Sequence, residues 1–367
     1  MPVRLTCPSE MRKVVPYFIA SLQNTSSPRG TFALNGTPFI INGTDVENNT
    51  VSGAQGLQRF DKQPSYSEVN PGDDIKLDCK IFNKRGTCSW QKDNKTSGGA
   101  HGVDFEYSPG FKALVPCQWA SEYPTCGGSH QSPVDLPACA KEVCQPPLRF
   151  TNLLGDPEQV ELIHMLHTPL VKYHMLEPIK VHGGPLNGSY IFDHYNVRWG
   201  EDAKKGSEHT LGGKSFAGEL QLVFYKDTTN GFHEAINTTD GVVIFSVWLE
   251  EVRYPDNSYF DELLGMMDYI TKPWSYTDLC EKIPIKYYLP EDRQHYYTYK
   301  GSLTYPPCVE TVIWVIFEET LPFSHYQFIK LRRMIGVRGS ISTNIRPVQQ
   351  NKLEIFKVHT PPACVGE

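Results

Sequence analysis

The sequence predicts a mostly β fold over residues 104–367, and three observations predict it. From about residue 104 the chain alternates short Val/Ile/Tyr/Phe-rich runs with Gly, Pro and Asn turns, the punctuation of strands. Only two segments, 259–270 and 324–334, carry apolar residues at helical spacing. Hydrophobic residues make up 40% of 367, enough for the core of one large domain plus an extension.

The extension, residues 1–103, reads differently. It is rich in Asn, Gly, Ser and Thr, and its β-type runs Thr31-Phe32-Ala33-Leu34 and Pro38-Phe39-Ile40-Ile41 adjoin Asn-Gly pairs at 35–36 and 42–43. Asn-Gly between apolar runs is a hairpin signal. Within 60–100, the stretch from Val69 to Cys79 followed by Cys88-Ser89-Trp90 resembles the opening of an immunoglobulin-like unit, in which a cysteine-bearing strand precedes one with a core tryptophan. A sandwich completed from residues 1–60, one completed by another chain, and a chance match all remain open.

Seven Asn-x-Ser/Thr sequons begin at Asn24, Asn35, Asn42, Asn48, Asn94, Asn187 and Asn237, five of them in the extension, and the chain has ten cysteines. Together they point to a secreted, extracellular glycoprotein with disulfides. Residues 11–22, Met-Arg-Lys followed by an apolar run, read either as a loose leader or as a mature strand. No run of 18 apolar residues is present, so no membrane-spanning helix is expected. A net charge of −6 disfavours nucleic acid as a partner, because phosphate binding needs a basic surface.

A series of segments then gives the domain its family. They are Trp119 with Tyr123-Pro124-Thr125-Cys126-Gly127-Gly128, Gln131-Ser132-Pro133-Val134-Asp135, and Gly183-Gly184-Pro185-Leu186-Asn187-Gly188-Ser189-Tyr190. Arg198-Trp199-Gly200, Gly206-Ser207-Glu208-His209-Thr210 and Glu219-Leu220-Gln221-Leu222-Val223 follow. Gly301 to Glu310 and Asn344-Ile345-Arg346-Pro347 complete the set. In this order and at these separations the chain resembles the α-carbonic anhydrases. The resemblance implies a central twisted, mainly antiparallel sheet of roughly ten strands, a conical cavity on one face and a few peripheral helices. It also implies a disulfide between Cys126 and Cys308.

Enzymes of that family hold zinc with a His-x-His pair on one strand and a third histidine on the neighbouring strand. Residues i and i+2 of a strand share a face, and three neutral imidazoles leave one tetrahedral position for a water that the metal acidifies. Aligned on Trp199-Gly200, the pair falls on Asn196 and Arg198, and aligned on Glu219-Leu220 the third ligand falls on Gln221. With all three histidines replaced, neither a metal cofactor nor the family's chemistry is expected. The rest of the site matches well. Glu208 and Thr304 take the places of the pair that orients the zinc-bound hydroxide, and Glu219 that of the acid behind the third histidine. Val223, Leu303, Val312 and Trp314 match the apolar wall, with Ile244 in place of a smaller valine. Tyr305 stands where a small residue is usual and narrows the cavity, and His167 falls near the proton-shuttle position.

Three readings of this remnant follow. Arg198, Glu208 and Glu219 form a satisfied ion-pair network that plugs the hole. Alternatively, Arg198 turns the cavity into an anion site. A third reading is a displaced metal site drawn from His194 with His164, His167 and His174. The leading function is a catalytically inactive secreted glycoprotein that binds other extracellular proteins or assembles with copies of itself, as a matrix or filament component. The alternative is a receptor or carrier that takes anionic glycans or small acids through Arg198.

Overall fold

The computed structural model describes residues 105–107, 114–336, 339–350 and 352–360, together with six short strands nearer the N-terminus. The chain divides into two compact units, Tyr17–His101 forming one and Gly102–Glu367 belonging to the other. In the first unit Phe32–Ala33 pairs antiparallel with Asp74–Ile75, Arg59–Lys62 with Lys80–Phe82, and Trp90–Lys92 with Lys95–Ser97. The second hairpin run at 38–41, Cys79 and Cys88 of the immunoglobulin-like pattern, and the first five sequons lie outside the described residues.

The Val/Ile/Tyr/Phe runs of the second unit pair into one 13-stranded sheet. In chain order its strands are β1 (Lys141–Cys144), β2 (Arg149–Thr151), β3 (Gln159–Met165), β4 (Thr168–His174), β5 (Lys180–His182), β6 (Tyr190–Trp199) and β7 (Gly218–Lys226). They continue with β8 (Val242–Val252), β9 (Tyr276–Asp278), β10 (Tyr296–Gly301), β11 (Val312–Phe317), β12 (Leu321–Ser324) and β13 (Phe356–His359). Ten of them form the main path, β9-β3-β4-β6-β7-β8-β11-β10-β13-β1, with β2, β5 and β12 to its side. β8 runs parallel to β11 and β12, and β13 parallel to β1, while the other pairs are antiparallel. This is the mostly β, mainly antiparallel sheet that the sequence predicts, with three parallel pairings that make it mixed.

Both faces of the central strands are buried, so their pattern is nearly continuous rather than alternating. One face carries Val197, Trp199, Leu220, Leu222, Phe245 and Val247, which join Phe260, Leu263, Phe328 and Leu331 in the larger apolar cluster. The last four come from the two segments expected to be helical. Asp261–Met266 (α2) is flanked by single 3-10 turns, and His325–Arg332 (α3) starts at Ser324, whose hydroxyl accepts from the Gln327 amide in a capping box. Among the described residues the sequence gives no sign of Phe232–Ala235 (α1), a single turn, or of the 3-10 segments Pro116–Ser121, Pro124–Gly127 and Ile285–Tyr288, all too short to show a period.

A β-bulge decides what the other face presents. In β6 the register against β7 slips between Phe192 and His194, leaving Asp193 as the extra residue. Before the bulge Tyr190 and Phe192 point to the larger cluster; after it Tyr195, Val197 and Trp199 do. Without that one-residue shift, Asn196 and Arg198 would share the side of Phe192. The bulge therefore aims them at the opposite face.

Cys126 and Cys308 are joined by a disulfide with Cα atoms 4.8 Å apart, closing 182 residues of chain. Chain-entropy reasoning puts such a closure at about 5 kcal/mol. Cys144 and Cys280 are also disulfide-bonded. Among the described residues no helix is long and apolar enough to cross a membrane.

Candidate functional site

Strand register builds the site in rows across β6, β7 and β8. Arg198 pairs with Glu219 and Trp248, Asn196 with Gln221 and Ser246, and His194 with Val223 and Ile244. The third row continues through Trp314 of β11 to Tyr299 of β10. The first two rows meet the loop residues Glu208, Thr304 and Asn344, and the third becomes an apolar wall.

Arg198 is the centre of the polar set. It is 1% exposed, and two of its three nitrogens donate to protein acceptors. Nε donates to Gln221 Oε1 at 3.2 Å, and Nη1 donates to the Tyr107 hydroxyl at 3.0 Å and to the Asn344 carbonyl at 3.2 Å. Glu208 Oε2 lies 3.6 Å from Nε. The guanidinium sits over the Tyr107 and Tyr305 rings, 5.7 and 5.6 Å from their centroids, so that cation–π attraction adds to the hydrogen bonds.

The carboxylates are fastened just as fully. Gln221 Nε2 donates to Glu208 Oε2 at 2.8 Å and to Glu219 Oε1 at 3.0 Å. Glu208 also accepts from the Arg346 amide at 3.0 Å and from the Thr304 hydroxyl. Glu219 accepts from the His209 amide, while the His209 ring bridges Glu219 (2.9 Å) and the Tyr299 hydroxyl (2.7 Å). Tyr299 passes the chain on to Ser132. Three atoms of these rows are exceptions: Asn196 Oδ1, Ser246 Oγ and Trp248 Nε1 are buried and have no partner.

Burial and charge divide the acids. Burial pushes the Glu208 carboxyl above its ordinary range, and Glu219 adds to that, while Arg198, Thr304 and the Arg346 amide pull it back. Burial acts on Glu219 in the same sense, yet the facing His209 and its hydrogen bonds hold that carboxyl down at about 2. The Tyr305 phenol is pushed up to about 12 by burial and stays neutral.

The structure brings Arg198, Gln221, Glu208, Glu219, Thr304 and Tyr305 together, and packs Val223, Ile244, Leu303, Val312 and Trp314 into one apolar cluster. The histidines of the displaced-metal reading are scattered instead. His194 bonds Asp193 (2.7 Å), His174 bonds Glu161 (2.9 Å), His167 lies 3.3 Å from Glu106, and His164 meets the Ile335 carbonyl. Among the described residues no three His, Cys, Asp or Glu side chains are placed to hold a metal ion. Sequence reasoning assigned no role to Tyr107, His209, Tyr299, Ser132 or Asn344. The available signal was a lone arginine in an apolar strand run, which must find acceptors somewhere. Of the sequons in this unit, Asn187 and Asn237 are both exposed, and the Asn237 amide is tied to the His233 carbonyl at 3.0 Å.

A face of mixed sheet with a buried cluster of acids at its centre and an apolar wall beside it defines a carbonic-anhydrase-type protein. The sequence model of the eukaryotic-type carbonic anhydrase matches residues 114–357, and the chain belongs to that family. It is 33% identical to dog carbonic anhydrase 6 over 237 residues, which cover 64% of this chain and 73% of that protein. Human carbonic anhydrase 6 is 31% identical over 240 residues (64% and 76%), and human carbonic anhydrase 7 is 30% identical over 268 (71% and 97%).

Proposed function

We propose that this chain is a catalytically inactive, secreted member of the carbonic anhydrase family that works by binding or by extracellular assembly. The observation that carries the reading is Arg198. By the motif alignment it falls at a position where the family's enzymes carry a zinc-binding histidine, and its Nε and Nη1 are engaged beside the rings of two tyrosines. A guanidinium has no lone pair to offer. A +1 charge ~4 Å from a +2 ion costs about 8 kcal/mol at an effective dielectric of 20. Gln221 spends its oxygen on Arg198 and its nitrogen on both acids, and the orphaned Asn196 Oδ1 is a single neutral donor. Zinc does not fit these residues.

Charge balance explains why the acids persist. Zinc with its hydroxide carries a net +1, and so does a guanidinium. Replacing one by the other leaves Glu208 and Glu219 as well compensated as before, which a neutral side chain would not.

Seven sequons and ten cysteines support secretion, and the partners proposed are other extracellular proteins or further copies of the chain. The test is elemental analysis of the purified glycoprotein beside a carbon dioxide hydration assay. Less than about a tenth of a zinc per chain and no hydration are expected; near-stoichiometric zinc or measurable turnover overturns the inactive centre. For assembly, mass photometry of the protein alone and with candidate matrix extracts is decisive, and monomers under every condition would remove that half of the reading.

A further inference from the structure

Residues 105–107 come just after the first compact unit ends at His101 and ahead of the family match, which begins at residue 114. All three side chains are held against the body of the domain. Phe105 stands edge-on to Trp119 at 5.3 Å and packs on His167 at 4.9 Å. Glu106 Oε2 lies 3.3 Å from His167 Nδ1. Tyr107, 8% exposed, accepts from Arg198 Nη1 at 3.0 Å beneath the guanidinium. The backbone is fixed at one point: the Glu106 amide donates to the Leu114 carbonyl at 2.9 Å, which also accepts from Trp119 Nε1 at 3.0 Å.

These contacts differ in kind. Ring packing on Trp119 is non-directional and survives small slides of the segment. The bond from Arg198 is charged, buried and aimed at one atom, and such bonds are the ones whose loss is felt. Arg198 donates to three acceptors, and two of them, Gln221 and Asn344, belong to the family-matched body. Tyr107 alone comes from outside it.

We infer that Arg198 is a clasp: the rebuilt centre serves as an internal docking socket for the segment 105–107 and fixes the point at which the chain enters the carbonic-anhydrase body. This gives the arginine a positive task beyond filling a hole, and it stands whether or not the protein has external partners.

Hydrogen exchange read by mass spectrometry on the full-length glycoprotein tests it, with the Glu106 amide as reporter. Tyr107→Phe keeps the ring and its packing and removes only the acceptor. Exchange in the peptide containing Glu106 is expected to speed up about tenfold or more, as loss of a charge-assisted hydrogen bond implies, with peptides from β6 and β7 unchanged. Glu106→Gln, which weakens the His167 pair and leaves the clasp intact, is expected to change it less than about threefold. Unchanged exchange in Tyr107→Phe overturns the inference, because packing on Trp119 would then hold the segment unaided. A larger effect from Glu106→Gln than from Tyr107→Phe overturns it too, by moving the role to His167.

Discussion

Two neighbouring regions share one sheet face and follow different rules. The apolar wall of Val223, Ile244, Leu303, Val312 and Trp314 keeps the residues that the family resemblance leads one to expect, with one extra methylene at Ile244. The polar set carries Asn196, Arg198 and Gln221 at the positions where the family resemblance implies zinc-binding histidines. Apolar contacts are non-directional and roughly additive in area, so a wall can stay as it is when the chemistry beside it changes. A buried polar set cannot be altered one member at a time. Each donor needs an acceptor and each charge a counter-charge, so Arg198, Gln221 and Tyr107 have to be read as one solution. The difference teaches where change is cheap in such a site and where it must be concerted.

The largest test of that contrast is reversal. Changing Asn196, Arg198 and Gln221 together to histidine should restore a zinc site, since Glu208, Thr304 and Glu219 still surround it. Zinc content should rise to about one per chain, with a zinc-dependent gain in melting temperature. No zinc uptake by a folded triple variant would mean the polar set has changed beyond these three positions. Arg198→Met breaks the set one member at a time. It strands Glu208 and the Asn344 carbonyl, and should cost about 3–5 kcal/mol in denaturant unfolding. Adding Glu208→Gln to it should recover a substantial part, because no carboxylate is then left without its counter-charge: Glu219 keeps His209. Equal losses in the single and double variants would count against a charge-matched design.

Acidity probes the same set from its carboxylates. Glu219 is held at about 2 in the folded chain against an ordinary 4.5. Its contribution is therefore present above about pH 4.5 and is lost as pH falls from there toward 2, on the order of 3 kcal/mol in all. Glu208 is raised and works in the opposite sense, losing stability as pH climbs from 4.5 through its folded value. In Glu219→Gln the fall in stability below pH 4.5 should flatten by one proton's worth of slope. An unchanged slope would place the acid sensitivity elsewhere.

Much of the site was legible because it is local. The family resemblance placed Asn196 and Arg198 on one strand, Glu219 and Gln221 on its neighbour and Thr304 and Tyr305 beside them, and period-2 geometry explains why each strand pair shares a face. The rest depended on distance and on a shift of register. Tyr107 reaches Arg198 across 91 residues and Arg346 reaches Glu208 across 138, and no local pattern announces either. The bulge at Asp193 leaves little trace in composition, although it decides which face Arg198 takes. The histidines at 164, 167 and 174 lie close in sequence and still find separate partners, since one sits on β3, one in the turn after it and one at the end of β4.

The smallest test lies in the wall. Ile244 is 3% exposed, pairs with Val223 and Trp314 across the sheet, and belongs to an apolar cluster with no hydrogen bond to satisfy at that position. Ile244→Val removes one methylene and returns the residue that the family resemblance implies. The expected cost is about 1 kcal/mol, the usual value for that truncation, with no change in zinc content and no change in exchange at Glu106. Were it to cost 3 kcal/mol or more, the wall would be as tightly interlocked as the set around Arg198. The contrast between a forgiving apolar region and a concerted polar one would then fail, since the two would be parts of a single coupled core.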